Sequence, residues 1–230
     1  MWSVLSDPRR KGGRWTADDF IATGEAEIAE RLAEAQTKHG RPLAFGRALD
    51  FGCGAGRLVY ALSSRFAEVV GVDVSPAMIE RATLLTSERA NVMLLVNDGP
   101  SLERFPSGTF DLVYTSIVLQ HVPTPTLIEG YVRELVRVTA PGGIALIQAP
   151  DRIPLAYRLQ PLRRGYHALR RLGVPARSLI LKTPLQPMRM TALPWQRMEE
   201  AIRASGGELL SVEPDGAFGY RYAVDGPSAG

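Results

Sequence analysis

Five short, continuous apolar runs constrain the fold of this 230-residue chain more than any other feature. They are 47–52 (RALDFG), 68–74 (EVVGVDV), 92–97 (VMLLVN), 110–116 (FDLVYTS) and 143–149 (GIALIQA). Runs of this length without polar alternation are the pattern of parallel strands buried on both faces. Helical patterns separate them. Ser75-Pro76 supplies an N-cap and a first-turn proline ahead of Met78, Ile79 and Ala82. Over 125–139, the residues Leu127, Ile128, Tyr131, Val132, Leu135 and Val138 recur at helical spacing. Pro141-Gly142-Gly143 is expected to stop that helix and lead into the next strand. Such alternation predicts βαβ units with right-handed crossovers, hence an α/β fold with a doubly wound, mostly parallel sheet. A helix over about 194–204 follows, closed by Gly206-Gly207. Two further strands, 208–213 and 219–224, read as an edge hairpin. The expectation is therefore seven strands, the last of them antiparallel.

Composition narrows the setting. Hydrophobic residues make up 45% and charged residues 22%, which suits a packed globular domain. No apolar run approaches the roughly 20 residues of a membrane span, and the first 15 residues lack the apolar core of a signal peptide. The single cysteine, Cys53, excludes an internal disulfide framework and fits a reducing compartment, so a cytoplasmic location is expected. The histidines, His39, His121 and His167, are too scattered to suggest a zinc site, and no metal is expected. The net charge of +3 conceals an asymmetry. Between Asp151 and Met190 nine basic residues face one acid, giving +8 there and −5 over the rest.

The first strand runs into a glycine series, ALDFGCGAGRL (48–58), with Asp50, Gly52, Gly54 and Gly56 at every second position. In an open α/β sheet, ligands bind beyond the C-terminal strand ends, so the loop after the first strand is the place to look. The dinucleotide fingerprint G-x-G-x-x-G fails here. Its third glycine would fall on Arg57 when read from Gly52, or on Val59 when read from Gly54. Pyrophosphate also needs free N–H groups at a helix N-terminus, whereas glycines at alternate positions let backbone pass close beneath a ligand. Asp50-x-Gly52-x-Gly54-x-Gly56 resembles the first motif of the class I S-adenosylmethionine-dependent methyltransferases, in its bacterial small-molecule and glycan branch.

The resemblance continues in order along residues 45–150, with weaker agreement over 191–213. It implies S-adenosyl-L-methionine as cofactor and S-adenosyl-L-homocysteine as product. Asp50 would hold the ammonium of the methionine moiety. VVGVDVSPAMIERA (69–82) brings Asp73, 17 residues beyond Gly56, to accept both ribose hydroxyls, with Val74 and Met78 flanking the adenine. Asp98, with Gly99 beside it, falls where the family commonly meets the adenine amino group, and Asn97 could take over that role. FDLVYTSIVLQHV (110–122) resembles the strand and loop that pass beneath the methionine moiety, which brings Ser116 and Gln120 to the cofactor.

The same loop would open onto the acceptor. A hydroxyl that attacks a methyl carbon must lose its proton, and a base titrating near neutrality suits that task. His121 is the candidate general base; the alternative is a histidine that hydrogen-bonds the loop backbone or packs over the cofactor. The loop carries no N/D-P-P-Y/F motif, which argues against methylation of a nucleobase amine, and no nucleic acid partner is expected. A small-molecule or glycan acceptor remains, anionic or lipid-linked if the basic stretch contacts it.

Four regions are expected. These are an N-terminal helical lid (1–40), a cofactor-binding core (41–150), a basic helical cap (151–190), and the last helix and edge strands (191–230). In the lid, Thr23 or the 16–18 region can cap a helix, and Trp15 and Phe20 either close over the cofactor or pack on the domain. In the cap, Leu155, Leu159, Leu162, Tyr166, Leu169 and Leu172 recur every three or four positions between arginines, and Pro161 is expected to divide two helices. Its basic face meets solvent, an anionic acceptor or an anionic membrane. Tyr157, Tyr166, His167 and Trp195 are candidates for stacking on the acceptor or filling the core. The reading is an O-methyltransferase for a small-molecule or saccharide hydroxyl. Its rivals are a small-molecule N-methyltransferase, and a non-catalytic cofactor-binding subunit that docks a partner or RNA through the cap.

Overall fold

The computed structural model describes residues 16–40, 43–154, 161–176, 178–179, 183, 190–216 and 218–228. Seven strands form one sheet: β1 (Arg47–Phe51), β2 (Glu68–Asp73), β3 (Val92–Val96), β4 (Phe110–Thr115), β5 (Thr139–Pro150), β6 (Glu208–Asp215) and β7 (Gly219–Asp225). Their order is β3-β2-β1-β4-β5-β7-β6. The first five run parallel, whereas β7 is antiparallel to both β5 and β6, so the hairpin inserts its second strand beside β5. The order reverses at β1, which sets β1 and β4 side by side and opens a crevice beyond their C-terminal ends.

Strand pleating divides the core into two layers. On one face Phe51, Val70, Val113, Ile147 and Tyr222 pack with α4 (Pro125–Val138) and α6 (Trp195–Ala204). On the other, Ala48, Val69, Leu112 and Ile144 pack with α1 (Ala17–His39) and α2 (Arg57–Ser63). The helix α3 (Pro76–Leu85) lies against the same region through Ala82, which a Cβ on Gly56 would meet at 2.9 Å. A further helix, α5 (Pro161–Arg171), lies in the long connection from β5 to α6. It begins at Pro161, where the fixed φ suits a first helical residue; the upstream half of the expected cap lies outside the described residues.

Local chemistry sets the boundaries. Thr16 caps α1 through a capping box, its hydroxyl accepting from the Asp19 N–H at 3.0 Å while the Asp19 carboxylate accepts from the Thr16 N–H. Thr23 instead donates to the Phe20 carbonyl inside the helix. Thr16→Ala should therefore cost about 1 kcal/mol, a fall of about 2–4 °C in Tm on a thermal melt. The 141–143 turn differs from expectation. The α4 helix ends at Val138, and Thr139 already pairs with Phe110, so Pro141-Gly142-Gly143 forms an irregularity inside β5. Gly142 has φ 76 there, and a Cβ on Gly143 would meet the Asp111 carbonyl at 2.9 Å.

Candidate active site

The glycine loop folds back on the end of β2. Gly52 and Cys53 both donate backbone N–H groups to the Val72 carbonyl, at 2.8 and 2.9 Å. Gly54 N–H donates to Asp73 Oδ2 at 2.9 Å, and Ser75 N–H to Asp73 Oδ1 at 2.8 Å. A carboxylate oxygen accepts two bonds, so each Asp73 oxygen keeps one direction for a further donor. Gly52, Gly54 and Gly56 all have positive φ, at 79°, 54° and 88°. A Cβ on Gly52 would lie 2.3 Å from Val118 Cγ2, so the loop after β4 rests directly on this glycine. A Cβ on Gly54 would meet nothing within 4 Å, nor would one on Gly99. The cradle is therefore tight on its protein side and open where a ligand would lie.

Asp50 sits in β1 between Gly71 and Tyr114, 2% exposed, and its Oδ2 is buried without a hydrogen-bond partner. Burial pushes its carboxyl up to about 7; nearby Arg57 pulls the other way, while Glu27 and Asp73 reinforce the rise. Behind it stands a group that sequence reasoning missed. Glu27 on α1 accepts from the Tyr114 hydroxyl at 2.7 Å and pairs with Arg57 at 2.7 Å. Burial pushes the Tyr114 hydroxyl up, with Glu27 adding to the effect. Burial likewise raises the Cys53 thiol, which makes Cys53 a packing residue in the loop.

The remaining candidates line the same edge. Val74 is 68% exposed beside Asp73, and Met78 is half-buried one helical turn on. Asp98 is exposed, whereas Gly99 is held in place, its carbonyl accepting from Asn97 Nδ2 at 3.2 Å and the Tyr131 hydroxyl at 3.0 Å. Past half-buried Ser116, Ile117 takes φ 61, a conformation that a β-branched residue adopts only under constraint. Its N–H donates to Gln148 Oε1 at 2.8 Å, which pins the loop to β5. A single 3-10 turn (Leu119–His121) then carries Gln120 and His121. Their side chains meet at 3.3 Å, Gln120 Nε2 to His121 Nε2, and the Gln120 carbonyl accepts from the Thr191 N–H at 2.8 Å. With the amide donating, Nε2 is the accepting nitrogen of the imidazole.

Other sequence candidates stand further away or serve structure. The Trp195 N–H donates to Asp151 Oδ1 at 2.8 Å, so Asp151 caps α6, and Trp195 is 40% exposed. Tyr166 is buried in α5, edge-on to exposed His167. Phe20 is a core residue of α1. Trp15 and Tyr157 lie outside the described residues. A separate shallow cleft lies between α1 and β5–β7–β6. Its Lys38 and Arg221 are paired with Glu34 and Glu213, so its charges answer one another.

The profile of the methyltransferase domain family matches residues 49–147, the span that holds this cradle. Residues 49–147 therefore match a methyltransferase domain. Among curated relatives, 2-methyl-6-phytyl-1,4-hydroquinone methyltransferase of Synechocystis is 34% identical over 122 residues, half of this chain and 37% of that protein. Ubiquinone biosynthesis O-methyltransferase of Xanthomonas oryzae is 33% identical over 127 residues, 55% of this chain and 52% of that one. The chain thus spans about half the length, or less, of these two curated relatives. A Clostridium acetobutylicum S-adenosylmethionine-dependent methyltransferase of known structure shares the fold, with a TM-score of 0.61 at 14% identity over 90% of this chain and 92% of that one. S-adenosylmethionine is the cofactor of this methyltransferase family. The unpartnered Asp50 oxygen and the open faces of Gly54 and Gly99 fit a cationic, phosphate-free adenosyl ligand.

Proposed function

We propose that this chain is an S-adenosylmethionine-dependent O-methyltransferase for a small-molecule hydroxyl, with His121 as general base. The observation that carries the reading is the Asp50–Gly54–Asp73 cradle, with Asp50 Oδ2 buried unpartnered and the Asp73 carboxylate clamped by backbone N–H groups. S-adenosylmethionine supplies a methyl group on a cationic sulfur. In this reading Asp50 Oδ2 accepts from its ammonium, and the free directions on Asp73 accept from the ribose hydroxyls. Val74 and Met78 flank the adenine, and Asp98 and Gly99 meet its edge. Ser116 and Gln120 face the methionine end from the loop after β4. The acceptor hydroxyl gives its proton to His121 Nε2, displacing the Gln120 amide from that nitrogen.

A relative named as a ubiquinone biosynthesis O-methyltransferase supports a hydroxyl on a quinone-type ring as the first acceptor to test, with a saccharide hydroxyl as the second. The experiment uses S-adenosylmethionine labelled on its methyl group, incubated with catechols, hydroquinones, saccharides and amines. The account expects label in a phenolic or saccharide hydroxyl product. His121→Gln should lower kcat about 10²- to 10⁴-fold with cofactor affinity unchanged. Full activity in His121→Gln, or label entering amines alone, would move the assignment to N-methylation, since an amine brings its own lone pair. Tight cofactor binding with no labelled product would favour the non-catalytic subunit.

A further inference from the structure

The helix α5 (Pro161–Arg171) is covered on only part of its apolar arc. At about 100° per residue, Leu162, Gly165, Tyr166 and Leu169 fall on one side. There Tyr166 is buried and the other three are half-buried. Pro161, Ala168 and Leu172 continue the same arc around the helix, and all three are exposed, Leu172 at 79%. The opposite arc carries Arg163, Arg164, His167, Arg170 and Arg171, of which only Arg163 is not exposed. Arg170 also closes the helix end by donating to the Val174 carbonyl at 2.9 Å. From Arg152 to Arg197 the chain holds ten basic residues and no acidic one.

Both ends of this connection are fixed at the candidate active site. Leu193 N–H donates to the Pro150 carbonyl, Thr191 N–H to Gln120, and Trp195 N–H to Asp151 at the end of β5. Whatever α5 touches is therefore tethered to the strand edge that holds Gln120 and His121.

We propose that α5 docks this protein on an anionic lipid bilayer surface, with Leu172, Ala168 and Pro161 entering the interface and Arg164 and Arg171 meeting lipid phosphates. Charge and shape carry the choice of partner. An exposed apolar shoulder flanked by arginines is the arrangement of a helix lying in the plane of a membrane interface. Each arginine near an anionic surface adds about fivefold to the partition, and burying one leucine adds on the order of tenfold. RNA would use the arginines but leave the leucine shoulder without a role, since single strands are bound by rings that stack on bases. The inference does not depend on the methyl-transfer reading, although it would place the acceptor mouth beside a lipid phase.

The test is flotation of the full chain with vesicles of phosphatidylcholine alone and with about 30% phosphatidylglycerol, at low and at roughly 0.5 M salt. The wild type should partition at least about tenfold better onto the anionic vesicles, and salt should weaken that preference. Arg164→Glu with Arg171→Glu should lose at least about tenfold, and Leu172→Asn on the order of tenfold, with unchanged Tm. Equal binding to both vesicle types, no binding at low salt, or indifference to both variants would overturn the proposal. Arginine-dependent capture of a fluorescent single-stranded RNA without vesicle binding would overturn it as well. Titration with S-adenosylhomocysteine in solution is run alongside; its failure would sink the methyltransferase reading and leave the vesicle result standing.

Discussion

Gly52→Ala should cost this protein both stability and cofactor binding, whereas Gly54→Ala should cost it chiefly binding. At Gly52 a new methyl group would sit 2.3 and 2.6 Å from the two Val118 methyl carbons and 3.0 Å from its Cβ. That is more than 1 Å inside an ordinary carbon–carbon contact. The positive φ of 79° adds about 1–2 kcal/mol for any residue with a side chain. Together with overpacking the loss should reach roughly 3 kcal/mol, and the loop after β4 must retreat from the cradle. Cofactor affinity should fall by more than about 100-fold. At Gly54 the φ of 54° carries similar strain, but a Cβ there meets no protein atom within 4 Å. Gly54→Ala should therefore melt within a few degrees of the wild type while its methyl occupies ligand space. If the two variants bound S-adenosylhomocysteine as the wild type does, the ligand would not lie over this loop.

The second large effect is on pH. Asp50 is pushed up to about 7, first by burial and then by Glu27 and Asp73, against the pull of Arg57. In the unfolded chain the same carboxyl titrates near 3.8, so between the two values the folded protein holds a proton that the unfolded chain has released. Asp50 therefore favours the folded state most below about pH 4, and that contribution is lost as pH rises to about 7, by roughly 4 kcal/mol. Other carboxylates act in the opposite sense, as the Arg137 contact that lowers Glu134 shows. The comparison that isolates Asp50 is the difference between wild type and Asp50→Asn. The variant should gain on the apo wild type as pH rises from 5 to 8. Pairing with the ligand's ammonium requires the ionised form. Wild-type affinity for S-adenosylhomocysteine should then fall as pH drops below 7, by up to tenfold per unit. Asp50→Asn should bind more weakly at pH 8, with a flat profile. Parallel profiles in the two proteins would remove Asp50 from the ammonium site.

What the sequence disclosed was what depends on local pattern. Strand ends fall within two residues of the apolar runs for β1 to β4, because burial on both faces leaves no polar alternation to blur them. The spacing of Asp50, Gly52, Gly54 and Asp73 likewise survives intact, since one crossover brings them together. The 141–143 turn misled because Pro-Gly-Gly reads as a helix stop, yet Thr139 is drawn into pairing by Phe110 on the neighbouring strand. Glu27 lies 87 residues from Tyr114, and only strand register reveals that Tyr114 sits beside Asp50. Gln148 is another case, since nothing local announces that it holds the strained Ile117. Asp151 is a further case, since nothing local announces that it caps α6 from the end of β5.

The central claim is that the loop 50–56 and Asp73 form a site for a phosphate-free adenosyl ligand. Calorimetric titration of the purified full chain with S-adenosylhomocysteine and, separately, with NAD tests it most directly, using Asp73→Ala as the control. The account predicts saturable binding of S-adenosylhomocysteine, lost by at least about 100-fold in Asp73→Ala as the ribose hydroxyls and the Gly54 N–H lose their acceptor. NAD should give no heat of binding. Saturable NAD binding that depends on Asp73, with none for S-adenosylhomocysteine, would contradict the account and reassign the cradle to a dinucleotide.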